Sequence, residues 1–62
     1  MFTKQQNRVL EFVTQHLNNG NSGAAARVLS SLHRSALKQS QKDGFLKLAL
    51  AYSIASHPDF II

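Results

Sequence analysis

The chain contains no cysteine, no tryptophan, one proline (Pro58) and only three acidic residues, Glu11, Asp43 and Asp59. Without cysteine it has neither a disulfide nor a thiolate metal site, the commonest reinforcements of a miniature domain, so oligomerisation is the aid that remains. Long apolar runs are missing too. The longest stretch, "FLKLALAYSIA", is too short to cross a bilayer and carries Lys47, and "MFTKQQNRVL" lacks the apolar h-region of a secretory signal. The expected location is therefore the cytoplasm, with no membrane partner.

The chain has 62 residues, room for a single domain (1–62) that buries a modest share of its surface. Seven Lys and Arg against the three acids give a formal charge of +4, a bias toward acidic partners.

Apolar residues recur at intervals of three and four, which predicts an all-α fold: a compact three-helix domain with an antiparallel hairpin, a third, largely apolar helix and a short apolar C-terminal tail. Thr3 followed by Gln6 reads as a capping box, so helix one spans 4–18, with Phe2, Val9, Leu10, Phe12, Val13 and Leu17 on one side. In "NNGNSG", Gly20 supplies a left-handed helix end and Asn21 or Ser22 a cap for the next helix. Helix two is expected over 22–38, with Ala25, Val28, Leu29, Leu32 and Ala36 inward and a basic stripe of Arg27, Arg34 and Lys38 opposite. Ser40, with Asp43 three residues on, reads as the cap of helix three, and Gly44 as part of that break.

Helix three, expected over 42–56, is apolar nearly all round. Phe45, Leu48, Ala49, Tyr52 and Ala55 form one side; Leu46, Leu50 and Ile54 form a second. Two such sides need two neighbours. Either this helix is central, clasped by the other two and the returning "PDFII", or its second side joins Phe60 and Ile62 in an association surface.

The residues that usually carry chemistry do not converge. His16, His33 and His57 are spread singly over three segments, without the paired spacing of a metal site. Ser31 and His33, two apart on a helix, face different ways and cannot form a nucleophile–base pair. "GNSG" is too short for a phosphate cradle. No cofactor, metal or catalytic residue is assigned, and the protein is expected not to be an enzyme.

"FTKQQNRVLEFV" resembles the first helix of winged-helix repressors, which implies a short turn and then a recognition helix; here "SSLHRSALK" runs on without a turn. "LNNGNSGAAARVLSSL" resembles the helical hairpin of tetratricopeptide-type repeats, although no second copy follows.

The expected function is that of a small non-enzymatic protein-binding regulator or accessory factor. It would self-associate as a homodimer through Leu46, Leu50, Ile54, Phe60 and Ile62, with Arg27, Arg34 and Lys38 steering a partner that has an acidic face. The alternative is a nucleic-acid-binding dimer in which the basic stripe contacts phosphates weakly and salt-sensitively.

Overall fold

The computed structural model describes residues 2–61 and contains three helices, α1 (Lys4–Asn18), α2 (Ser22–Ser35) and α3 (Gln39–Ala51), with no strand among the described residues. The all-α expectation holds. Thr3 caps α1 as its sequence predicts: its hydroxyl accepts from the Gln6 amide at 3.1 Å, and the Gln6 side chain accepts from the Thr3 amide at 2.9 Å.

At its other end α1 closes in a Schellman motif. Gly20 adopts φ 79°, its amide bonds the Leu17 carbonyl at 3.1 Å, and the Asn21 amide bonds the His16 carbonyl at 2.8 Å. α3 ends in the same motif. The Ser53 amide bonds the Leu50 carbonyl at 3.0 Å and the Ile54 amide bonds the Ala49 carbonyl at 2.9 Å, with Ser53 at φ 61° where glycine is usual.

Both later helices depart from their expected limits. α2 stops at Ser35 rather than at residue 38, because Ala36 turns extended to become part of the core while the Ser35 hydroxyl bonds back to the Leu32 carbonyl at 3.2 Å. α3 begins at Gln39 rather than 42, with Lys38 as its N-cap residue, and Ser40 lies within the helix instead of capping it. An i,i+4 hydrogen bond from Gln39 Nε2 to Asp43 Oδ1, 3.0 Å long, supports that first turn. Gly44 lies in mid-helix, where a Cβ would come within 2.8 Å of Phe2 Cζ. The Phe2 ring stacks on Phe45, centroids 4.5 Å apart.

The central element is α2, not α3. Both α1 and α3 pack against it, and its fully or nearly fully buried residues, Ala25, Ala26, Leu29 and Ser30, are mostly small. Small side chains let two neighbours approach one helix closely. The core joins Ala26 and Leu29 to Ala36, Phe45, Ala49, Ile54 and Phe60. The last two come from the segment after α3, which folds back over α2 and so closes the chain's own core.

Candidate functional site

Two constellations bring together residues distant in sequence. The first is the seat of the C-terminal segment on α2. Phe60 is 7% exposed and presents its ring to His33, centroids 6.5 Å apart. The buried Ser30 hydroxyl donates to the Ile61 carbonyl and accepts from the Ile61 amide at 3.1 Å, so one side chain satisfies both backbone groups of that residue. The Asp59 carboxylate lies over the first turn of α2. Its Oδ2 would be 3.0 Å from a Cβ on Gly23 and is 3.6 Å from Arg27 Nε. α2 has no acidic residue in its own first turn, and the Asn21 side chain makes no cap bond. The negative charge favoured at a helix N-terminus comes instead from the far end of the chain. His57 Nδ1 accepts from the Asp59 amide at 3.1 Å, which holds the bend around Pro58.

The second constellation is an open groove of about 490 Å³ between the start of α1, the end of α2 and the link to α3. Val9 and Leu32 give it apolar walls, while Gln5, Gln6, Ser35 and Gln41 supply amide and hydroxyl groups. The buried Gln41 reaches across to Gln6, Nε2 to Oε1 3.4 Å, and ties α3 to α1 at the groove floor. At the rim stand Leu37, 96% exposed, and Lys38, the one charged lining residue among the described residues.

Of the three residues expected to form a basic stripe, two stay on α2 and the third leaves it. Arg27 and Arg34 are exposed on α2, but Lys38 lies beyond that helix, at the groove, and Arg27 is engaged by Asp59. The residues expected to form an association surface divide as well. Ile54, 3% exposed, and Phe60 are consumed by the chain's own core. Leu46 is half-buried against that core, Leu50 is 61% exposed, and Ile62 lies outside the described residues. Phe12, expected on the packed side of α1, is half exposed and meets the His16 ring edge to face, centroids 4.2 Å apart.

Sequence reasoning missed Leu37, which it placed on helix two, and the groove, which draws on three segments. The signal for Leu37 was a large apolar residue between Ala36 and Lys38, at the edge of a polar stretch. Among the described residues no group of three His, Cys, Asp or Glu could hold a metal ion, and no helix is long and apolar enough to cross a membrane.

No protein-family model, curated protein or solved structure matches this chain.

Proposed function

We propose that the protein is a non-enzymatic protein-binding regulator whose groove between α1 and the α2–α3 link receives a short acidic segment of a partner, anchored by an apolar side chain. The observation that carries this reading is Leu37, an almost fully exposed leucine beside Val9 and Leu32 at an open groove. Covering Leu37 would remove about 1.5–3 kcal/mol of unfavourable hydration, a typical gain for a large aliphatic side chain. The charge of the occupant follows from Lys38 in the lining, from Arg34 exposed near the end of α2 and from the net charge of +4. Self-association through the outer side of α3 is less supported, since Ile54 and Phe60 are taken by the core and Leu50 alone offers little area. Phosphate binding along α2 is less supported for a similar reason: Arg27 already has an anionic neighbour.

The test is a titration of ¹⁵N-labelled protein with a capped peptide of alternating Glu and Leu, and with its Lys–Leu counterpart. The acidic peptide should perturb the amides of Gln6, Val9, Leu32 and Leu37 to Gln41, and Leu37→Ser with Lys38→Glu should abolish the response. Equal responses to both peptides, or changes confined to another face, overturn the proposal.

A further inference from the structure

We infer that the segment from Ile54 to Ile61 can be exchanged between two copies of the chain, each tail seating on the α2 of the other, with Ser53 as the hinge. This inference is independent of the groove. Three observations converge on it.

The first is the conformation of Ser53. Its φ of 61° places an L-residue in the left-handed region at a point where α1 uses Gly20 for the same turn. A side chain there is disfavoured, and the surrounding packing must hold it in place. The second is the local sequence. From Phe45 to His57 the chain has no glycine or proline, and its apolar period predicts helix through residue 56, whereas the helix stops at Ala51. Local preference and global packing thus conflict at one point, which marks a bistable element. The third is the seat itself. It grips the tail through Ser30 on the Ile61 backbone, Asp59 over Gly23 beside Arg27, and Phe60 against His33. Every one of these contacts re-forms unchanged when the tail comes from a second copy.

In the exchanged form α3 continues as far as Ser53, which becomes right-handed, and the tail from Ile54 onward crosses to the neighbouring molecule. Closed and exchanged forms then differ only at the hinge and in the entropy of association, so concentration decides between them. A strained hinge linking a core-filling element is the usual origin of such exchange.

The experiment is sedimentation equilibrium of the full-length chain up to millimolar concentration, with Ser53→Gly and Ser53→Thr alongside and circular dichroism to confirm folding. Glycine relieves the closed hinge, and a β-branched residue strains it further. Ser53→Gly should raise the dimer dissociation constant about fivefold per hinge, so about 25-fold per dimer. Ser53→Thr should lower it. In a mixture of labelled and unlabelled chains, isotope-filtered NOEs should connect Phe60 of one copy with His33 of the other. A chain monomeric at every concentration, a dissociation constant unmoved by Ser53→Gly, or a dimer lacking that intermolecular NOE overturns the inference.

Discussion

The Phe2 ring lies flat on Phe45, with centroids 4.5 Å apart and planes 8° from parallel, and it reaches that position over the bare backbone of Gly44. A methyl group on residue 44 would meet Phe2 Cζ at 2.8 Å and Cε1 at 3.1 Å. The chain two residues ahead of α1 is therefore pinned to the middle of α3, a second tie between these helices beside the Gln41–Gln6 hydrogen bond. A glycine inside a helix is tolerated here because an aromatic contact takes the space of its missing side chain.

This arrangement sets two opposed effects against each other in Gly44→Ala. Alanine gains about 1 kcal/mol of helix propensity, and displacing the stacked ring costs about 0.5–1.5 kcal/mol. Stability should change by less than about 1 kcal/mol, while the ring-current shifts of Phe45 change markedly. In a Phe2→Ala background the ring is gone, and the same substitution should stabilise by about 1 kcal/mol. Urea unfolding of the four proteins of this cycle, with NMR of the Phe45 ring, measures both terms. Loss of stability in both backgrounds would show that something other than Phe2 fills the space.

Gly20 and Ser53 stand at equivalent points of their helix ends, so substitutions there should act in opposite directions. No atom of the described residues lies within 4 Å of a Cβ built on Gly20, and Gly20→Ala should cost about 1 kcal/mol through its left-handed backbone alone. Ser53→Gly should stabilise the monomer by about 0.5–1 kcal/mol, the relief of the turn being offset in part by the greater freedom of glycine in the unfolded chain. Thermal unfolding at low protein concentration reads both.

Ser30→Ala removes the donor and the acceptor that hold the Ile61 backbone. Ile61 is exposed and can turn to water, so the loss should be about 1–2 kcal/mol, in the range of ordinary hydrogen bonds. The specific signature is local: the Ile61 amide should exchange with solvent much faster, while amides at the centre of α2 slow or quicken only with global stability. Uniform acceleration across α2 would mean that the tail does not loosen on its own.

Leu37→Ser should leave stability within about 0.5 kcal/mol, because the side chain buries almost nothing. A drop of several kcal/mol, measured by chemical denaturation, would place Leu37 in the core and remove it from the groove.

What the sequence disclosed was governed by neighbours. The Thr3 and Gln6 capping box and the Gly20 turn rest on residues within one turn of one another and appear where the motif places them; α2 starts at Ser22 as expected, but without a cap bond from the Asn21 side chain. The ends of α2 and α3 were not legible, since neither "RSALKQ" nor "AYSIAS" contains a helix breaker. Burial of Ala36 in one case, and of Ile54 in the other, overrides local preference. Total hydrophobicity pointed to α3 as the central helix. Centrality depends instead on how closely neighbours can approach, and the small residues Ala25, Ala26 and Ser30 give that place to α2. The neighbour of Arg27 was not legible for a similar reason: it is Asp59, which no local pattern connects to it. The groove joins three segments, and none of them announces it alone.

Placing α2 between the other helices also shapes how the chain reaches its native state. Each hairpin, α1 with α2 and α2 with α3, joins sequence neighbours through a short connection. Such contacts close at small entropic cost, so the helical part should assemble on the microsecond-to-millisecond scale of low-contact-order domains. Docking of the tail differs, because Ser30 and Ile61 must meet across most of the second half of the sequence. That step follows the collapse of the helices, and for its duration the seat on α2 stands open, before the chain's own end arrives to fill it.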